Sequence, residues 1–174
     1  MASLEQRGLY FEEFEEGVTF KTRARTITET DIVNFAGVTG DYNPLHMDAE
    51  YAKATIFGER IAHGALGFSV AIGQAFQLGF LVGTIIAFTD TEWKFRAPIK
   101  IGDTVHVEAT ISKLRNAPKM GGGLVTTSMK LLNQRGEVTQ KGDMTFLMMY
   151  RPVADPPTDL LTSSANVSST TDAP

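Results

Sequence analysis

Four strand-patterned segments follow one another in the second half of the chain with no helix-patterned stretch between them. This run limits the possible folds more than any other feature. Gly83 to Arg96 is rich in β-branched and aromatic residues. Val105, Val107, Ala109 and Ile111 alternate with His106, Glu108, Thr110 and Ser112, the period of a strand with one buried face. Leu124 to Asn133 and Val138 to Tyr150 are joined by Gln134-Arg135-Gly136, a hairpin connection. Gly102-Asp103 reads as a turn and Gly121-Gly122-Gly123 as a flexible hinge. Successive strands without long crossovers pair antiparallel.

The first half supplies what such a sheet must cover. A short strand is expected at Val18 to Arg25. Thr28, with Asp31 three residues on, resembles a capping box, and Ile32, Val33, Phe35 and Ala36 give the helix an apolar stripe. Gly37 and Gly40 end it. Gly40-Asp41-Tyr42-Asn43-Pro44 reads as a loop, and a short helix follows at Ala49 to Thr55. A third helix, mainly apolar, starts near Ala62-His63-Gly64 and runs to about Leu78. Gly67 and Gly73 weaken it intrinsically, which implies burial with another backbone close against it. The expectation is an α+β fold, with an antiparallel sheet of about five strands wrapped around one long central helix.

At 174 residues the chain suits one domain, expected over residues 9–152. Proline, serine and threonine dominate residues 153–174. That composition is expected of a disordered or surface-draped tail, because it offers too little apolar surface to offset its ordering entropy. The absence of cysteine excludes thiolate metal sites and cysteine nucleophiles. A net charge of -4 without a basic block argues against a nucleic-acid partner. The most apolar stretch, Ile61 to Ile86, is broken by His63, Gln74, Gln77 and glycines, so no membrane span is expected. Met1 to Glu16 is acidic and does not read as a secretory signal. A cytoplasmic protein is the expectation.

Chemistry concentrates around Asp41 and His46, five residues apart across a loop stiffened by Pro44. A carboxylate and an imidazole converging on one water can share acid–base work, and imidazole titrates nearest neutrality. Taken singly, each residue is as well explained by a structural role: Asp as turn former, His as a hydrogen-bonded structural residue. The three histidines, His46, His63 and His106, form no metal-ligand spacing, and no metal is expected.

The string Gly40-Asp41-Tyr42-Asn43-Pro44-Leu45-His46, followed by Ala49, Tyr51 and Ala52, resembles the signature of the MaoC-like, (R)-specific enoyl-CoA hydratase family. Arg60-Ile61-Ala62-His63-Gly64-Ala65-Leu66 looks like the family's His-Gly-hydrophobe segment, and Phe95 to Asp103 resembles the strand and turn beyond it. The resemblance covers about Thr28 to Arg151. It implies the hot-dog fold and hydration of trans-2-enoyl thioesters to (R)-3-hydroxyacyl thioesters, or the reverse. It places the catalytic pair on Asp41 and His46, the oxyanion contact on the Gly64 amide, and a loop-shaping role on Asn43. His63 is grouped with these substrate-side residues, placing the helix start being its alternative use.

No cofactor is implied; coenzyme A enters as part of the substrate. Hot-dog proteins resemble one another in pairing sheets edge to edge, which implies a homodimer or an assembly of dimers. The competing readings are a hot-dog thioesterase, a dehydratase on acyl-carrier-protein or branched dicarboxylic acyl-CoA substrates, and a non-catalytic acyl-binding or structural subunit. Lys94, Arg96 and Lys100 are read equally as contacts for coenzyme A phosphates or as a solvated edge. His106 is expected to be exposed, and Met144, Phe146, Met148, Met149 and Tyr150 to serve the core and interface.

Overall fold

A computed structural model describes residues 7–153. The predicted tail lies outside the described residues except for Val153. Six strands are present among them: β1 (Thr19–Lys21), β2 (Arg25–Thr26), β3 (Ile85–Phe95), β4 (Thr104–Ala117), β5 (Gly122–Leu132) and β6 (Val138–Met149). All pairings are antiparallel. The order is β1-β4-β5-β6-β3, with β2 also on β4. β3, the first long strand in the chain, therefore lies at one edge, beside the last.

The helices are α1 (Glu29–Thr39), α2 (Pro44–Met47), α3 (Ala49–Lys53) and α4 (Gly64–Phe76). α4 spans about 20 Å. It buries Leu66, Gly67, Val70, Ala71, Gln74 and Ala75, a stripe at three- and four-residue spacing. These meet the inward residues of the sheet, including Val105, Val107, Met129, Leu131 and Met144. Burying each large side chain contributes roughly 1.5–3 kcal/mol. Gln74 fastens the helix polarly, its amide donating to the carbonyls of Arg23 and Val105 at 2.9 and 3.0 Å. A sheet wrapped around one helix is the hot-dog arrangement, as expected.

Several local expectations change. The strand expected over Val18 to Arg25 is two shorter ones. Thr28 and Asp31 do form a capping box, but Gly37 stays inside α1, which ends at Gly40 with φ 75. Gly121 makes a left-handed turn, whereas Gly122 and Gly123 belong to β5. They are no hinge: a Cβ on Gly122 would stand 2.2 Å from the Met148 carbonyl oxygen, and one on Gly123 2.2 Å from the Phe11 ring. His106 is half-buried beside Glu108. Met144, Phe146 and Met148 are core, while Met149 is exposed. No helix among the described residues is long and apolar enough to cross a membrane.

Candidate active site

The loop after α1 is built from short-range hydrogen bonds. Gly40 closes the helix, its amide donating to the Ala36 carbonyl at 2.8 Å. The Thr39 hydroxyl accepts from the Asp41 amide, and the Asp41 carboxylate accepts from the Asn43 amide, both at 3.3 Å. Asn43 then caps α2, accepting from the Leu45 amide at 3.0 Å, with Pro44 as the first helical residue. Proline suits that place because its missing N–H would have no intrahelical partner there. α2 has no signal in the sequence, where Pro44 serves equally as a loop former, and His46 sits on this single helical turn.

α2 turns His46 inward, leaving it 9 % exposed. Its Nδ1 lies 2.8 Å from the Ile61 carbonyl oxygen. That carbonyl is held by pairing of the segment with the stretch before β4: Ile61 bridges Lys100, and the Ala62 amide donates to the Ile99 carbonyl at 2.7 Å. His63, 2 % exposed, places Nε2 at 2.9 Å from the Asp41 carbonyl oxygen. A carbonyl only accepts, so Nδ1 of His46 and Nε2 of His63 carry the protons. With Nδ1 as the donor, Nε2 is the ring nitrogen of His46 that can accept. His63 lies between Phe35 and His46, with ring centroids 5.1 and 3.9 Å away. Its Nδ1 is buried without a hydrogen-bond partner.

Asp41, His46 and His63 thus converge. Each offers an atom within 4.8 Å of the others'. Nothing in their sequence spacing revealed this, since His63 arrives from beyond α3. An ion of the imidazole-and-carboxylate class would find its donors here: each imidazole has one nitrogen held by a backbone carbonyl and the other left free. Asp41 is exposed and His46 buried, so the carboxylate is on the solvent side of the pair.

The same corner contains the start of α4. His63 is its N-cap residue and makes no side-chain cap hydrogen bond. The opening amides of the helix are therefore left unblocked, with the positive end of the helix dipole behind them. Gly64 is exposed, and the ring of Phe95 covers its Cα: a Cβ there would stand 2.9 Å from Phe95 Cε1. From β6, the buried Gln140 donates through Nε2 to the Gly64 carbonyl at 3.0 Å and accepts from Trp93 Nε1 at 2.8 Å. Trp93 and Gln140 carry no local sequence pattern that marks them, and Phe95 opens the segment Phe95 to Asp103 without any sign there of a place beside Gly64.

Phe95 and Gln140 point towards α4, so their neighbours Lys94 and Lys141 face the other side of the sheet. That outer face holds a cavity of 790 Å³ lined by Lys21, Glu92, Lys94, Glu108, Lys130 and Lys141. Of the three cations singled out around Pro98, Lys94 pairs with Glu92 and Lys100 with Glu59, each at 2.6 Å.

Comparison with known proteins gives the chain its family. Residues 13–131 match the family described as MaoC like domain. The (R)-specific enoyl-CoA hydratase of Rhodospirillum rubrum is 37% identical over 145 residues, 82% of this chain and 93% of that protein. The 3-hydroxybutyryl-CoA dehydratase of Methylorubrum extorquens is 38% identical over 110 residues, 63% of this chain and 68% of that protein. Among solved structures, the monoamine oxidase regulatory protein from Archaeoglobus superposes with a TM-score of 0.79 at 36% identity, covering 84% of this chain and 97% of that one. An Asp–His pair gathered around the N-cap histidine of a helix buried in an antiparallel sheet thus comes with sequence kinship across most of the chain, and this protein belongs to the MaoC-like domain family.

Proposed function

We propose that this protein is a hydro-lyase that interconverts trans-2-enoyl-CoA and (R)-3-hydroxyacyl-CoA. The observation that carries the reading is the convergence of Asp41 and His46 beside the open amides of α4. Hydration puts a hydroxyl on C3 and a proton on C2, and negative charge builds on the thioester oxygen between the two events. In this reading a water held by the Asp41 carboxylate and His46 Nε2 loses its proton as it attacks C3. The pair returns a proton to C2, and the two groups act as one unit.

The Gly64 amide receives the developing oxyanion. A single preorganised donor of this kind contributes on the order of a hundredfold or more in rate. A capping serine or aspartate at position 63 would occupy these amides; His63 instead spends its Nε2 proton on the Asp41 carbonyl. It thereby links the water-activating loop to the oxyanion side. Dehydration is the same path run backwards. The residues present supply every proton transfer, and coenzyme A is the substrate's carrier.

β3 leaves one edge of the sheet unpaired among the described residues, with Ile86, Phe88 and Phe95 exposed along it. Such edges favour pairing with another chain. We take a second copy to be the occupant, giving a homodimer, and a coenzyme A substrate fits a cytoplasmic enzyme.

The test is loss of enoyl absorbance with a panel of enoyl-CoA substrates, with product chirality assigned, for the wild type, Asp41→Asn and His46→Asn. Turnover to the (R)-alcohol in the wild type alone supports the reading. Release of free thiol, or wild-type turnover in both variants, overturns it.

A further inference from the structure

The start of α4 has no cap of its own, yet the proposed chemistry needs its amides aimed. Gly64 has no side chain to restrain its backbone, and His63 gives no capping bond. What holds this turn comes from the sheet. Gln140 is 2 % exposed. Its Nε2 donates to the Gly64 carbonyl, and its Oε1 accepts from the Trp93 indole. Trp Nε1 can only donate and a carbonyl can only accept, so the two contacts together admit one orientation of the amide.

Room for that amide is made on the helix. A Cβ at Gly67 would stand 2.3 Å from Gln140 Nε2 and 2.7 Å from Ile99 Cδ1. Gly67, expected to admit a neighbouring backbone, instead admits a side chain. Phe95 closes the remaining side by covering the Gly64 Cα. The Gly64 carbonyl is therefore anchored to β6, which restrains the first turn of α4 and, through the two backbone dihedrals of Gly64, the N–H that opens it.

We infer that Gln140, oriented by Trp93 and accommodated by Gly67, is a positioning residue that aims the Gly64 amide at the substrate's thioester oxygen. This rests on the hydratase reading above. It assigns Gln140 no contact with substrate: its effect passes through one carbonyl. Holding the donor in place before substrate arrives removes reorganisation from the reaction step, so the effect belongs to kcat more than to KM.

The experiment compares Gln140→Leu, Gln140→Glu and Trp93→Phe with the wild type and with Asp41→Asn, by kcat, KM, pH profile and thermal midpoint. Gln140→Leu lowers kcat about tenfold to a hundredfold, the scale of a misaimed catalytic contact, with KM nearly unchanged. Trp93→Phe gives a smaller loss of the same kind. Gln140→Glu supplies the discriminating readout. Its protonated carboxyl donates to the Gly64 carbonyl, and its carboxylate repels it, so the ratio of its kcat to the wild type's falls as pH rises.

Wild-type kcat in Gln140→Leu while Asp41→Asn is inactive overturns this inference and leaves the hydratase reading intact. A kcat loss that tracks the thermal midpoint, with a Gln140→Glu ratio flat in pH, shows a structural role only and also overturns it. A wild type that hydrates no enoyl thioester overturns both.

Discussion

Nδ1 of His46 lies 2.8 Å from the carbonyl oxygen of Ile61, a contact only a protonated Nδ1 can make. Protein backbone thereby fixes the tautomer and leaves Nε2 as the acceptor. The two nitrogens can be separated by substitution. In His46→Asn the side-chain amide can still donate to Ile61 while nothing replaces Nε2. This variant should keep its thermal midpoint within a few degrees and lose about two to four orders of magnitude in kcat. His46→Ala also leaves the buried Ile61 carbonyl without its donor and should cost a further ~1–3 kcal/mol of stability. Equal stability of the two variants by denaturant unfolding would contradict this division.

Gly64→Ala tests the approach to the helix amide. The added methyl would crowd Phe95 Cε1 at 2.9 Å, but Phe95 is 60% exposed and its ring can swing away. The fold should therefore survive while kcat/KM falls by about a hundredfold, the loss expected when one oxyanion donor is obstructed. Gly64→Ala with Phe95→Leu should stay equally slow, because the methyl still stands at the amide. Recovery in the double variant would assign the defect to the ring.

Acid stability should depend on Asp103, which ties two turns together. Its carboxylate accepts from the Lys100 amide, the Gln134 amide and Arg135, each at 2.9 Å. Burial alone would raise its pKa, but these hydrogen bonds and the Arg135 charge hold it below the ordinary 3.8. A depressed folded-state pKa contributes stability above the unfolded value, and that contribution is lost as pH falls through the folded one. Asp103→Asn should therefore unfold at a lower temperature near neutral pH. The gap to the wild type should narrow once pH drops below 3.8. A gap constant from pH 7 to pH 2 in thermal melts would refute the linkage.

The unpaired edge at β3 predicts that sedimentation reports a dimer of the wild type. Phe88 is 43% exposed and stacks on Phe146, with centroids 5.3 Å apart. Phe88→Glu puts a charge on that edge and should shift the protein towards monomer. A monomeric wild type would remove the basis for pairing along β3.

What the sequence disclosed follows the range of the interactions. The capping box of Thr28 and Asp31 closes within one turn and could be read directly. The alternation along β4 likewise declared its buried face. α2 escaped because one turn of helix carries no periodicity, and its proline served equally well as a loop signal. Gly122 and Gly123 looked like a hinge because the atoms that exclude a side chain there, from Met148 and Phe11, are remote in the chain. Asp41 and His46 were visible as a string, whereas His63 joins them only through the fold. Gln140 reaches Gly64 across 76 residues, and no local pattern could announce that.

The fit between Gly67 and Gln140 also bears on how this protein can diverge. A lineage that acquires any side chain at 67 while keeping glutamine at 140 meets steric conflict at once, and one that shortens 140 first leaves a void beside a bare helix. The two positions should drift as a pair, with the order of replacement decided by which intermediate still turns over.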